Sequence, residues 1–236
     1  MTRDSLRDRL IVALDAASMA DAVRLARRLR GLIRTVKIGS ILFTACGPAI
    51  LRRMHSLGFA VMLDLKFFDI PSTVELSCRA AARHGASLLT VHAAGEPAML
   101  KAAVRGARAG AGRLAPPRVL AVTVLTSASG TSAAAVRAKV LALAARAVRA
   151  GCDGVVASAQ EARALRRRLG RAPLIVCPGI RSSSGQRDDQ RRVCTPGEAL
   201  AAGASALVVG RPITAATDPA RAVRRILDEM KEASGC

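Results

Sequence analysis

The stretch Asp64-Leu-Lys66-Phe-Phe-Asp69-Ile70-Pro71-Ser-Thr73 concentrates the charged groups that could do chemistry in this chain. Residues two apart on a β-strand point to one face, so Asp64 and Lys66 read as neighbours aimed the same way. Asp69 falls beyond the strand end, in a loop that Pro71 stiffens ahead of a helix. With Lys37 expected one strand away, the four form an alternating set of two ammoniums and two carboxylates. An ion-pair network bracing a rim would place no demand on the kind of cation. Of 37 lysines and arginines only five are lysine (Lys37, Lys66, Lys101, Lys139 and Lys231), yet both cations of this set are lysine. A guanidinium stays protonated at neutral pH, whereas an ammonium can release its proton and be recharged. The set therefore suits proton donation.

Holding such groups together requires a rigid frame, and the hydrophobic pattern supplies one. Short apolar runs at Leu10–Leu14, Thr35–Gly39, Ala60–Leu65, Leu88–His92, Val119–Val124, Gly154–Ala157, Leu174–Cys177 and Ala206–Val209 read as buried strands. Helical periods near 18–31, 47–57, 72–84, 97–109, 132–150, 160–169, 197–202 and 218–233 separate them. Gly58, Gly85, Gly151 and Gly203 each follow a helical stretch, where a left-handed residue closes the last turn. Eight strands alternating with helices predict an α/β fold, a (β/α)8 TIM barrel, with the whole of 1–236 as one domain. An open doubly wound sheet is the alternative, but no GxGxxG follows the first strand. The length of 236 residues suits a single barrel of ~250 residues. In such a barrel the chemistry belongs at the carboxyl ends of the strands. Asp15, Lys37, Asp64, Lys66, His92, Thr126, Ser127, Arg181, Gly210 and Arg211 all fall at those ends. His92 reads mainly as a structural hydrogen-bonding residue.

Composition narrows the function classes. At 51% hydrophobic and 23% charged residues, the chain is an ordinary globular mix rather than a disordered one. The net charge of +20 comes from arginines scattered over helix faces, such as Arg24, Arg27, Arg28 and Arg30, or Arg163, Arg166, Arg167 and Arg168. It reads as a biased, solvated surface. Trp and Tyr are absent and Phe numbers four, too few stacking platforms for a single-strand binder, so nucleic acid is not an expected partner. Six cysteines show no CxxC pair and no metal-ligand spacing with the three histidines. They read as buried small hydrophobes in a reducing compartment, and no metal is expected. The apolar run Leu10–Leu14, closed by Asp15, is too short for a signal segment or a membrane span. The expected location is the cytoplasm.

The chain resembles the orotidine 5′-monophosphate decarboxylases, and the likeness runs nearly end to end. It is carried by ALD (13–15), VKIG (36–39), DLKFFDIPST (64–73), VHAAG (91–95), VTVLTS (122–127), CPGIR (177–181), DDQRR (188–192) and VVGRPI (208–213). Glu96 departs from the pattern, since many members carry a second glycine after HAAG. The resemblance implies cofactor-independent decarboxylation of orotidine 5′-monophosphate to uridine 5′-monophosphate, in pyrimidine biosynthesis. It implies Lys66 as the proton donor to C6, Asp64 beside the departing carboxylate, and Lys37 and Asp69 completing the network. It implies Asp15 and Lys37 on the ribose hydroxyls, and Thr126 or Ser127 at the pyrimidine edge. Gln190, Arg211 and the Gly210 amide fall on the phosphate, and Ile70, Thr73, Pro178 and Arg181 join the ligand-contacting set. In the family the second aspartate of the motif comes from the neighbouring subunit, so a homodimer with shared sites is implied. The polar segment 181–192 (RSSSGQRDDQRR) is expected to be mobile and to close over the phosphate through Gln190.

Two rivals define the tests. Magnesium-dependent hexulose-phosphate synthases and keto-gulonate-phosphate decarboxylases resemble the chain around DxKxxD. They place a carboxylate for the metal where Lys37 stands, and a lysine there opposes Mg²⁺ by charge. A non-catalytic basic nucleic-acid binder would instead show salt-sensitive DNA or RNA binding and no turnover.

Overall fold

The computed structural model describes residues 6–113, 115–124, 132–181 and 194–233. The eight apolar runs become β1 (Leu10–Ala13), β2 (Thr35–Gly39), β3 (Ala60–Phe67), β4 (Leu88–His92), β5 (Arg118–Val122), β6 (Gly154–Val156), β7 (Leu174–Cys177) and β8 (Ala206–Val209). They close into a barrel in chain order, β8 returning to pair with β1 and every pair parallel. Both faces of each strand are covered, which is why the runs are continuously apolar rather than alternating. Ile11, Ala13, Met62, Leu120, Val122, Val156, Val176 and Val208 fill the interior. The intervening residues, such as Leu10, Val12, Val36, Ile38, Val61 and Leu63, pack outward in the larger core.

Between the strands lie α1 (Met19–Leu29), α2 (Ser40–Cys46), α3 (Ala49–Ser56), α4 (Pro71–Arg83), α5 (Pro97–Gly110), α6 (Ala133–Arg149), α7 (Ala159–Leu169), α8 (Pro196–Ala201), α9 (Arg211–Thr214) and α10 (Pro219–Glu232). Their starts are written in the sequence. The Ser18, Ser132, Ser158 and Asp218 side chains accept from first-turn amides, and Thr195 with Glu198 forms a capping box. Gly58, Gly85, Gly151 and Gly203 take φ of +89°, +85°, +96° and +101°, as helix-closing residues should. Helices α4 and α5 approach so closely that a Cβ on Gly106 would collide with the Glu75 carbonyl, and one on Gly110 with that of Arg79. That contact anchors α4, the helix whose first turn carries Thr73.

Several expectations need correction. β3 runs two residues further than Leu65, and β5 lies at Arg118–Val122 rather than ending at Val124. Helices α2 and α9 were not expected. Each is short and preceded by a glycine (Gly39 or Gly210) with no side-chain cap, so neither offers a start signal or a full amphipathic period. Nor is every arginine a solvated one. Arg166 donates to the carbonyls of Gly170, Pro173 and Gly203 and to Ser205 Oγ, tying α7 to the entries of β7 and β8. Arg9 donates to the carbonyls of Ala204 and Ser205.

The cysteines of the described residues are free thiols. Burial pushes Cys78, Cys152 and Cys177 up to about 12, consistent with inert packing groups. No helix among the described residues is long and apolar enough to cross a membrane.

Candidate active site

The barrel register sets the first contacts. Ala13 pairs with Lys37 and Gly39 with Asp64, so the inward side chains of β1, β2 and β3 meet at the carboxyl end. Lys37 Nζ lies 3.6 Å from Asp15 Oδ1 and 3.3 Å from Asp64 Oδ2. Lys66 Nζ donates to Asp64 Oδ1 at 3.0 Å. Within one chain the alternating row is therefore Asp15–Lys37–Asp64–Lys66. Asp15, rather than Asp69, is its second carboxylate.

Asp64 and Lys66 do face the same way, but not by a plain pleat. Against β4 the register passes from Leu63↔Leu89 to Phe67↔Val91, so β3 advances four residues while β4 advances two. Lys66 sits in that bulge with φ +50°, the one non-glycine residue of positive φ among the described residues. A left-handed lysine costs on the order of 1 kcal/mol and persists only where its surroundings fix it. Here its N–H donates to Thr90 Oγ1 at 2.9 Å, and that hydroxyl donates to Asp64 Oδ1 at 2.9 Å.

The side chains of Asp64 and Lys37 are only 12% and 14% exposed, against 38% for Lys66. Burial by itself would raise the Asp64 pKa. Lys37, Lys66 and the hydrogen bonds from Lys66 and Thr90 outweigh it and hold the carboxyl below its ordinary value. A depressed folded-state pKa means that stabilisation by ionised Asp64 is complete above the ordinary carboxylate value. It is lost as pH falls through the lower, folded value. The stability gap between the wild type and Asp64→Asn should then be flat at neutral pH and narrow on the acid side of pH ~4. Denaturant melts of both proteins across that range check it, and a gap that widens on acidification would contradict the ionised assignment.

A cavity of about 300 Å³ opens over this row. Pro178, Gly179 and Arg181 follow β7 on its wall, and Gly210 and Arg211 follow β8. Among the described residues, two carboxylates (Asp15 and Asp64) and four cations (Lys37, Lys66, Arg181 and Arg211) line it, a set suited to an anionic ligand. Met62, Val122, Val156 and Val208 give it an apolar floor that sequence reading did not single out. Period two from Asp64 points to Met62, and period two from His92 points to Thr90, which is fully buried. His92 Nδ1 accepts from the Ala94 N–H at 3.3 Å, which leaves the ring proton on Nε2. Its ring lies 5.4 Å from that of Phe68. Burial, then the nearby Lys66 and Lys139, lowers its pKa, so the imidazole is neutral at pH 7.

Asp69, Ile70 and Thr73 stay outside the cavity, exposed between β3 and the first turn of α4. Asp69 Oδ1 accepts from the Ile70 N–H at 2.6 Å. Thr126, Ser127 and Gln190, with nearly all of 181–192, lie outside the described residues. No group of three or more potential metal ligands occurs among the described residues.

Comparison with known proteins gives one consistent result. Residues 8–226 match the model of the orotidine 5′-phosphate decarboxylase / HUMPS family. The orotidine 5′-phosphate decarboxylase of Syntrophotalea carbinolica is 46% identical over 235 residues, covering 96% of each chain. That of an Anaeromyxobacter species is 48% identical over 225 residues, 93% of this chain and 96% of the relative. The crystal structure of the Lactobacillus acidophilus orotidine 5′-phosphate decarboxylase superposes with a TM-score of 0.84 at 36% identity, covering 94% of this chain and 99% of the other.

Proposed function

Since the chain belongs to the orotidine 5′-phosphate decarboxylase / HUMPS family, we propose that it converts orotidine 5′-monophosphate to uridine 5′-monophosphate and CO2 without metal or organic cofactor, Lys66 delivering the proton. The observation that carries this reading is the row Asp15–Lys37–Asp64–Lys66, sharing one cavity with Gly210 and Arg211. The substrate brings a phosphate and a carboxylate, and the cavity's cations suit them.

In the reaction the bond from C6 to the carboxyl carbon breaks and CO2 departs. The electron pair stays on C6. The Lys66 ammonium, preorganised by Asp64, stabilises that charge and then gives C6 a proton; the neutral amine is recharged from water. Asp64 lies beside the leaving carboxylate, where like charges ~4 Å apart repel by about 4 kcal/mol at an effective dielectric near 20. Preorganised stabilisation of the carbanion is the main contribution, because the cation is in place before charge develops. Asp15 and Lys37 hold the ribose hydroxyls, and Thr126 or Ser127 meets the pyrimidine edge. Arg211, the Gly210 amide and Gln190 take the phosphate, with Pro178 and Arg181 on the same wall.

Lys37 also argues against the magnesium enzymes of the family. Its ammonium, 3.3 Å from Asp64 Oδ2, puts positive charge where those enzymes need a metal-binding carboxylate. The deciding assay adds orotidine monophosphate to metal-stripped protein and follows loss of the orotate ultraviolet absorbance. Turnover unaffected by chelator is expected. No turnover, or turnover abolished by chelator, overturns the reading.

The reading includes a homodimer in which Asp69, Ile70 and Thr73 of each subunit complete the other's site. Ile41, Phe68, Ile70 and Leu76, each 60–64% exposed, support it, as large apolar side chains in the segments around the β2 and β3 ends. Mixing inactive Asp69→Ala and Lys66→Ala subunits should restore activity, because each heterodimer then holds an intact site. Verified heterodimers without activity would count against sharing. The reading includes a cytoplasmic location.

A further inference from the structure

We propose that Thr90 is a positioning residue for the decarboxylation, its single hydroxyl holding both the Lys66 backbone and the Asp64 carboxylate in the reactive arrangement. The inference rests on the functional reading above. Where β3 bulges away from β4, a ladder partner for the Lys66 N–H is replaced by a side chain: Thr90 Oγ1 accepts it at 2.9 Å. The same oxygen has one proton to give, and it goes to Asp64 Oδ1 at 2.9 Å. Asp64 Oδ1 also receives Lys66 Nζ at 3.0 Å, so hydroxyl, carboxylate, ammonium and the Lys66 peptide close a ring. Thr90 is 0% exposed, so its hydroxyl is withdrawn from bulk solvent.

The chemistry of the hydroxyl matters here. It must accept and donate at once, which valine of the same shape cannot do and serine can. Lys66 holds φ +50° without glycine's freedom, and the Thr90 hydroxyl supplies the partner that its turned N–H requires. Asp64 is faced by Lys37 from β2, by Lys66 from β3 and by Thr90 from β4, with Asp15 beyond Lys37. Of these, Thr90 is the neutral donor. Its loss should let the Asp64 carboxyl titrate at higher pH and let the ammonium drift from the reacting carbon.

The test compares Thr90→Val and Thr90→Ser with the wild type. A misplacement near 1 Å can cost ~100-fold, so Thr90→Val should lower kcat by about 10- to 100-fold. KM for orotidine monophosphate should change by less than ~3-fold, since ground-state contacts lie elsewhere. Thr90→Ser should recover most of the rate, and the Asp64 carboxyl, followed by carbon-13 NMR, should titrate higher in Thr90→Val only. If Thr90→Val does not fold, Thr90→Ala takes its place in the same measurements. Unchanged kcat in the valine variant, a serine variant as slow as valine, or an Asp64 titration unmoved by the substitution would each overturn the proposal. If the wild type itself fails to decarboxylate, the functional reading falls, and the Asp64 titration alone decides whether Thr90 holds this carboxylate.

Discussion

Lys66→Ala should fold and yet turn over at least ~10⁴-fold more slowly, because two separate contributions vanish together. A positioned general acid is worth about 10²–10⁴ in rate, and a preorganised charge at the developing anion about 10²–10³. The fold should survive. Asp64 keeps Lys37 at 3.3 Å and Thr90 at 2.9 Å, and the Lys66 N–H, being backbone, still reaches Thr90. Lys66→Arg separates the two contributions. It restores a cation but not one that gives up a proton near neutral pH, so it should stay far below the wild type. Steady-state kinetics beside circular dichroism and thermal melts check both variants. A kcat for Lys66→Ala within tenfold of the wild type, in folded protein, would remove Lys66 from the chemistry.

What the sequence made visible depended on whether the signal was local. The strands were legible because a strand covered on both faces must be a continuous apolar run, as LIVA at 10–13 and LIVC at 174–177 are. Most helices were legible through their apolar periods, such as those near 18–31 and 218–233, which became Met19–Leu29 and Pro219–Glu232. Helices α2 and α9, with glycine at their starts and a turn or two of length, sent no such signal. The same logic divides the site. Asp64 and Lys66 stood out as charges inside an apolar strand. Thr90 did not, because a threonine between Leu89 and Val91 is also an ordinary strand residue, and its value comes from a bulge in the neighbouring strand. Asp15 joins the charge row within the chain, whereas Asp69, assigned to it through the neighbouring subunit, lies outside this chain's cavity. Arg166 looked like one more surface arginine. Its acceptors are carbonyls of residues 170, 173 and 203, whose closeness no helical period can announce.

Arg211→Ala tests the phosphate contact. Arg211 lines the cavity beside Gly210, at the start of α9, whereas Asp64 and Lys66 belong to β3. A charge-assisted hydrogen bond contributes about 1.5–3 kcal/mol, and a guanidinium can offer a phosphate two. Losing both should cut kcat/KM for orotidine monophosphate by ~10²–10⁴-fold. The fall should not be confined to KM. Binding energy from the phosphate, remote from C6, is spent on the transition state in the proposed reaction, so kcat should drop as well. The decisive comparison uses orotidine, the same nucleoside without its phosphate. The wild type should handle it poorly, and Arg211→Ala no worse, because the group that Arg211 recognises is already missing. Double-mutant logic makes that convergence the signature of a direct contact. If the substitution instead penalises orotidine and orotidine monophosphate by the same factor, Arg211 acts on the barrel or the pyrimidine rather than on phosphate.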